Sequence, residues 1–508
     1  MTCGTRSTGT QSISWRRRER HRRRGRPHRA HAGRRPGRRR RPVRVLERRA
    51  AESNLTRAFA IHARTLELLD MRGLADRLVA EGLKVAEVRP HVKGIKGREV
   101  VFNVRHPDSA FPYLIILGQA RTEAALEERA RGLGAEIVRG AEVTGLTQDD
   151  AGVTLTLADG RTERADHVVG CDGAHSAVRR LLSVGFSGHA YATRILLADV
   201  RLDADLPLAV NPFMGDDGVV LLPPFGDGWY RATIWDRTGQ GVPLDEPVGI
   251  EEVRDALLRI TGRDLGLARM RWATRFLSER RQARDYRVGR VFLAGDAAHV
   301  HSPLGAMGMS TGIQDAANLS WKLVAADRGW APPWLLDTYR SERHPVGRQV
   351  LRLTDTLRRV SEAPAAVRAV RPCLFPKIVN QPRISERLRL TFSGMGITYP
   401  VPSQVTATPL AGTRVPDLAL TLGDRASRLY EHLGDGRFVL VDTTQSLPAG
   451  DEPWPGRLRV LRSSRPLLLG RATTILVRPD GYLAWTATFP DPGQVGKALA
   501  EWLRRPGT

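Results

Sequence analysis

The segment from Arg290 to Ala316 constrains this chain more than any other. It reads Arg-Val-Phe-Leu-Ala-Gly-Asp-Ala-Ala-His-Val-His-Ser-Pro-Leu-Gly-Ala-Met-Gly-Met-Ser-Thr-Gly-Ile-Gln-Asp-Ala. Val291 to Ala294 form a short apolar run of the kind that makes a buried strand. The run ends in Gly295-Asp296, which puts a carboxylate at the strand's C-terminal end. A glycine-bearing loop follows (Pro303, Gly305, Gly308), and then a helical pattern from about Ser310 to Ala326, closed by Gly329. A carboxylate accepts hydrogen bonds from sugar hydroxyls. A helix N-terminus offers free N–H groups and the positive end of a dipole. In this order the parts suit a ligand that carries a polyol and a delocalised anion.

A second strand-to-helix passage runs from Asp166 to Arg179, with Asp172-Gly173 at the strand end and a helix starting near Ser176. There Gly173 permits close backbone approach. A third strand, Val43 to Glu47, also ends in an acid. In dinucleotide-binding folds such an acid follows a GxGxxG fingerprint by about 20 residues and holds a ribose. Residues 1–42 contain no such fingerprint. Residues 16–42 instead hold 15 Arg in 27 positions, with only Gly, Pro, His, Ala and one Glu besides. That composition cannot bury a face. The missing strand, loop and helix need about as many residues as this tract has. GC-rich codons read out of frame give mainly these amino acids, so the tract reads as a frame-shifted fingerprint. A disordered extension and a basic nucleic-acid arm are the rival readings; a secretory signal is not, for want of an apolar stretch.

These runs closely resemble the class A FAD-dependent aromatic hydroxylases (the p-hydroxybenzoate and phenol hydroxylase group), and most of all the bacterial aromatic polyketide hydroxylases. The resemblance covers residues 43–508. It rests on the Gly295-Asp296 stretch, on Asp172-Gly173-Ala174-His175-Ser176-Ala177-Val178-Arg179 and on Ala63-Arg64-Thr65-Leu66-Glu67-Leu68-Leu69. It also rests on Gln119-Ala120-Arg121-Thr122-Glu123 and on Leu335 to Gly347. By this resemblance Gly295 and Asp296 hold the ribityl chain of FAD, and Pro303, Gly305, Gly308, Met309 and Ser310 lie along the isoalloxazine. Glu47 takes the adenosine ribose, Arg57 contacts FAD or gates substrate, and Gln119 reaches the ribityl or phosphate region. Asp172, Gly173 and Arg179 contact FAD and NAD(P)H. The family usually carries Gly-Gly-Gln-Gly-Met-Asn where this chain has Gly305-Ala306-Met307-Gly308-Met309-Ser310.

The fold class that follows is α/β. A Rossmann-like FAD-binding domain carries an inserted β-sheet substrate domain and is followed by a thioredoxin-like C-terminal domain. The boundaries read as 1–42, arginine-rich and either disordered or frame-shifted; 43–184, first part of the FAD domain; 185–278, the β-rich substrate domain; 279–398, second part of the FAD domain with helices; and 399–508, the C-terminal domain. In detail, Ser53 to Leu78 carries a helical pattern, Thr122 or a neighbour caps the helix that follows Leu117, and Asp159-Gly160 turns a hairpin. Trp229, Tyr230 and Trp235 either pack the insert or line an aromatic pocket.

Composition narrows the function. The net charge is +25, but residues 1–50 carry 19 Arg against two acids, so the remaining chain is close to balanced. Nucleic acid is therefore not the expected partner of the body. The three cysteines (Cys3, Cys171, Cys373) have neither CxxC nor metal-type spacing, which points away from a metal site or disulfide framework and towards a reducing cytoplasm. No apolar run is long enough to span a membrane. The resemblance implies an FAD monooxygenase that uses NAD(P)H and O2, through a flavin C4a-hydroperoxide, to hydroxylate a small aromatic substrate, phenolic or polyketide. No protein nucleophile is needed; catalytic work falls to the cofactor. His299 and His301 read as packing beside the loop rather than as acid–base groups. A Baeyer–Villiger or epoxidising relative on the same fold, and a cofactor-deficient product with an arginine arm, are the alternatives. A homodimer is left open.

Overall fold

A computed structural model describes residues 43–51, 58–95, 100–444 and 454–504, and the backbone of residues 12–15. The expectations for residues 1–11 and 16–42, and for Arg57, lie outside the described residues.

The strand ending at Leu293 belongs to a six-stranded sheet, in the order Arg287–Val288, Val291–Leu293, Val168–Gly170, Ser12–Trp15, Val43–Glu47, Glu136–Arg139. Val291–Leu293 runs parallel to Val168–Gly170, and Val43–Glu47 runs parallel to Glu136–Arg139. The strand between the two pairs, Ser12–Trp15, is antiparallel to both its neighbours, so the two flanking pairs point the same way. Glu47, Asp172 and Asp296 therefore follow or end strands along one edge of one sheet. That edge is where ligands sit in open α/β sheets. Three strand steps separate the Glu47 strand from the Asp296 strand, a span of about 14 Å. The sheet is buried by Val168, Val178, Val291, Phe292 and Leu293 together with Leu319, Leu323 and Tyr339 from two helices, Gly308–Asp327 and Thr338–Ser361.

The central strand departs from the sequence reading. Residues 1–42 read as disordered or frame-shifted, with no fingerprint strand expected from them, and within them Ser12–Trp15 occupies the central slot of the sheet, antiparallel to both neighbours. Ser12 pairs with Leu46 and Gly170 at the ligand edge, and Trp15 pairs with Val43 at the far edge. The C-terminal end of this strand, Trp15, thus lies at the edge away from Glu47, Asp172 and Asp296.

Inserted between the two halves is an eight-stranded sheet built on two 17-residue strands, Phe186–Leu202 and Leu267–Ala283. The helix Ile250–Thr261 packs on it through Val253, Leu257 and Ile260. Its far end pairs Arg281 with Val300 and Gln282 with His299, immediately after the Asp296 turn. At Gly188 φ is +133°, and a Cβ would lie 1.9 Å from the Arg280 carbonyl oxygen. Gly188→Ala is thus expected to cost about 2–4 kcal/mol and to lower the melting temperature measured by circular dichroism; an unchanged melt refutes this.

Residues beyond Ser393 form a four-stranded sheet in the order Leu458–Arg462, Phe438–Asp442, Thr474–Val477, Leu483–Ala487. The helix Pro492–Leu503 covers it, capped by Asp491 and Gln494. Trp321, Trp330 and Leu335 join its core with Phe438, Trp485 and Trp502.

Several local expectations need correction. The pattern from Ser53 is not one helix: a short strand, Ala60–Ile61, precedes helices Ala63–Asp70 and Ala75–Glu81. The helix after Leu117 starts at Gln119 with Gly118 as cap and no capping side chain, while Thr122 is buried with its hydroxyl unpaired. Among the described residues no helix is long and apolar enough to cross a membrane.

Candidate flavin site

Gly295 adopts φ +59°, which turns the chain sharply after the apolar strand. A Cβ on Gly312, one turn into the helix Gly308–Asp327, would stand 3.3 Å from the Gly295 Cα. Glycines at both positions let turn and helix approach this closely. Asp296 follows, half-buried, and its carboxylate accepts no hydrogen bond from any described residue. An unpaired carboxylate in that place is available to ligand hydroxyls.

The loop after it is shaped by backbone conformation. Gly305 has φ +95° and Ala306 has φ +51°. The left-handed region suits the glycine; at Ala306, where the resembling family usually has a second glycine, it costs about 1 kcal/mol. Such strain persists where the surroundings fix it, and here Ala306 packs on the apolar cluster that contains Phe59 and Phe102. The helix then begins at Gly308 with no side-chain cap, leaving its first N–H groups free for an acceptor. Ser310 is buried and its Oγ accepts from the His62 backbone N–H at 3.3 Å. Met309 packs with Ile61 and Leu66 in a neighbouring core. Around this loop three polar atoms are buried without a partner: His62 Nε2, His301 Nε2 and Ser302 Oγ. Burial pulls the His62 imidazole down to about 4, so it is neutral near pH 7.

At the other end of the sheet edge Glu47 is 1% exposed. One oxygen accepts from the Arg49 N–H at 2.9 Å and the other has no partner. That free oxygen fits a ribose hydroxyl. Gln119 accepts from the Ala58 N–H at 3.0 Å and donates to Glu123 at 2.6 Å.

The Asp172 motif has a structural explanation of its own. Asp172 accepts from the Ser176 hydroxyl and from the Val178 N–H, at 3.0 Å, and so ties down the helix Ala177–Leu181. Gly173 adopts φ +82° in the turn before that helix. Arg179 is buried and donates to the Ala297 carbonyl at 2.9 Å and the Ala174 carbonyl at 2.7 Å, with its guanidinium 3.6 Å from the Phe186 ring centroid. It bolts the Asp172 turn to the Asp296 turn. The two motifs are therefore one construction.

Sequence reasoning missed what holds the turn in place. Asp315 is completely buried in the helix Gly308–Asp327. Its Oδ2 accepts from the Gly295 N–H at 3.1 Å and meets His299 Nε2 at 2.7 Å; its Oδ1 accepts from Arg343 Nε at 2.6 Å. Asp315 shares its buried helix face with Thr311, Asn318 and Lys322, so no break in an apolar pattern marks it in the sequence. His299 thus supports the turn and is no free acid or base. Tyr230 and Trp235 are core residues of the insert, and Trp229 lies under the Arg271 guanidinium at 4.6 Å. The aromatic ring that reaches the loop is Phe392, which a Cβ on Gly305 would meet at 3.1 Å.

The FAD fit can be judged from these atoms. The free Asp296 carboxylate, the uncapped helix start and the unpaired Glu47 oxygen suit the ribityl chain, the ring and the adenosine ribose.

Comparison with known proteins agrees with this construction. The model of the FAD binding domain family matches residues 34–354, and that of the aromatic-ring hydroxylase C-terminal region matches residues 408–506. The chain is 36% identical to the 12-dehydrotetracycline 5-monooxygenase/anhydrotetracycline 6-monooxygenase of Streptomyces rimosus, over 91% of this chain and 94% of that protein. It is 37% identical to a rifampicin monooxygenase of Streptomyces venezuelae, over 87% and 90% respectively. Among solved structures, the OxyS anhydrotetracycline hydroxylase from Streptomyces rimosus superposes with a TM-score of 0.77 at 35% identity, covering 91% of this chain and 94% of that one. The chain belongs to the FAD-dependent aromatic-ring hydroxylases. It is an FAD-dependent monooxygenase by family.

Proposed function

We propose that this monooxygenase hydroxylates a fused-ring phenolic or polyketide substrate with NAD(P)H as reductant. The observation that carries the reading is the approach of Phe392 to the loop, where a Cβ on Gly305 would lie 3.1 Å from its ring, within the apolar cluster that also joins Phe59, Phe225 and Ala306. Bound flavin supplies the redox chemistry: the nicotinamide gives a hydride, one atom of O2 enters the ring, and the other leaves as water with a proton from solvent. The chain's own residues bind, orient and exclude water. Asp296 and Glu47 accept hydroxyl hydrogen bonds at the two ends. The uncapped start of Gly308–Asp327 favours negative charge on the flavin ring. Phe59, Phe225 and Phe392 keep the substrate side dry. In the insert, Arg231 is buried against Asp199 and lies 5.3 Å from the centroids of Phe225 and Trp272, a contact that helps fix both rings. The reading also takes Arg57, Asp172, Gly173 and Arg179 as part of the cofactor surface, the four-stranded C-terminal sheet as a thioredoxin-like module, and the cytoplasm as the location.

The test is direct. Protein purified with and without added FAD is assayed for a flavin spectrum, then for NADH- and NADPH-dependent O2 uptake with a panel of polycyclic phenols. The expected result is a flavin spectrum on addition of FAD and a product heavier by one oxygen atom. Colourless protein that rejects added FAD refutes the reading. A lactone or epoxide product would favour the Baeyer–Villiger or epoxidising alternative.

A further inference from the structure

We propose that Asp315 is a positioning residue for the Gly295-Asp296 turn, and that Arg343 and Tyr399 make the C-terminal region part of that positioning. The inference rests on the flavin reading above for its consequence, but its geometry stands on the chain alone. Gly295 donates its N–H to Asp315, so the carboxylate fixes the residue that aims Asp296. Through the same oxygen Asp315 holds His299, whose strand His299–Val300 pairs with the edge of the inserted sheet. Its other oxygen holds Arg343. Arg343 in turn donates to the Thr311 carbonyl in the first turn of the helix, at 3.2 Å, and to the Tyr399 hydroxyl, at 3.1 Å. One buried ion pair thus sets both the acid turn and the helix start, the two features that make the flavin end of the site.

Tyr399 lies outside the flavin-binding sheet. Its N–H donates to the Gly412 carbonyl at 2.8 Å, and its ring sits 4.1 Å from the ring of Tyr482. The Gly412 N–H continues the connection to the Leu483 carbonyl in the C-terminal sheet. From that sheet to Asp296 the path consists of hydrogen bonds and one ring contact among buried groups, with no exposed member to break it. Asp315, Arg343, Tyr399 and Tyr482 are all at most 5% exposed. Buried polar networks of this kind hold a single arrangement when every member is satisfied, and loosen when one bond is removed.

The decisive variant is Tyr399→Phe, which keeps the ring on Tyr482 and removes only the hydroxyl that accepts from Arg343. Asp315→Asn is the second, keeping the shape and removing the charge. In the full chain without FAD, hydrogen exchange of the 293–299 backbone is measured by mass spectrometry, with the strand Phe438–Asp442 as internal control. FAD affinity is measured separately by quenching of flavin fluorescence. The expected result for Tyr399→Phe is exchange about tenfold faster at 293–299, an unchanged control strand, and FAD binding about tenfold weaker. Wild-type exchange at 293–299 overturns the proposal, and so does equal acceleration in the control strand, which would mean general loosening. If Asp315→Asn fails to fold, Tyr399→Phe decides by itself. If the wild-type chain takes no FAD while exchange responds as stated, the flavin reading fails and the positioning of the turn stands.

Discussion

Asp296→Ala is expected to weaken FAD binding about a hundredfold, while the melting temperature of the FAD-free protein stays close to that of wild type. The first half follows from chemistry at the strand end. Hydrogen bonds to a charged acceptor contribute roughly 1.5–3 kcal/mol each, and 1.4 kcal/mol is a factor of ten, so losing two ribityl hydroxyls amounts to about two powers of ten. The second half follows from the structure. Asp296 is half-buried and accepts no hydrogen bond from any described residue, so its removal breaks no internal bond. Asp296→Asn keeps an acceptor and loses the charge, and belongs between the two, near tenfold. Titration of each variant with FAD, followed by flavin fluorescence, gives the dissociation constants. A Kd for Asp296→Ala within threefold of wild type would remove this residue from the site. Loss of both affinity and melting temperature would mark it as structural instead.

The largest stability effect is expected at Glu342. This carboxylate is 2% exposed and receives Arg478 at 2.8 and 2.9 Å, Lys322 at 2.8 Å and Asn318 at 2.6 Å. Arg478 also pairs with Asp480 at 2.6 Å, so two cations and two anions are buried together. Glu342→Gln leaves that cluster with an uncompensated positive charge between the helix Thr338–Ser361 and the C-terminal sheet. Breaking a buried pair from one side costs about 3–5 kcal/mol, and for a chain of this length a fall of roughly 3–5 °C in melting temperature is expected. The cost depends on pH. Burial alone would raise the Glu342 pKa, but Arg478 and Lys322 outweigh it and hold the carboxyl down at about 2, against 4.5 for the free group. Between those values the unfolded chain binds more protons than the folded one. The stabilisation from this group, about 3 kcal/mol, is therefore full above roughly pH 4.5 and is lost as pH falls towards 2. Gln resembles the protonated acid, so the gap between wild type and Glu342→Gln should narrow from pH 5 to pH 3. Melting curves of both proteins across that range check it, and a gap that stays constant or widens contradicts it.

Much of the flavin end was legible because it is local. Strand, acid, loop and helix follow one another within Arg290–Ala316, and Asp296 and Gly308 lie where that order places them. Glu47 was legible for the same reason, as an acid ending an apolar strand. The helix boundaries after Ser53 and Leu117 were read less well. Ala60–Ile61 is a strand because it pairs with Ile115 and Ile116, far along the chain, and pairing of that kind leaves no periodic trace. Thr122 caps nothing, since the helix begins three residues earlier and buries it.

The partners of Asp315 could not be read at all. Gly295, His299 and Arg343 meet it from 20, 16 and 28 residues away along the chain. Tyr230 and Trp235 pack the insert, one of the two readings their sequence allowed, whereas the approach of Phe392 to Gly305 joins segments almost ninety residues apart and leaves no local trace.

By itself the sequence determined the chemistry at each strand end: which residues are acids, which are glycines, and which family they resemble. Side-chain type and short spacing carry that information, and both survive without a fold. The tertiary structure decided which of those ends share an edge, that Asp172 and Asp296 are joined through Arg179, and that the central strand runs against its neighbours. Strand direction and long-range hydrogen bonds depend on how distant segments pack, and packing is a property of the whole chain rather than of any stretch in it.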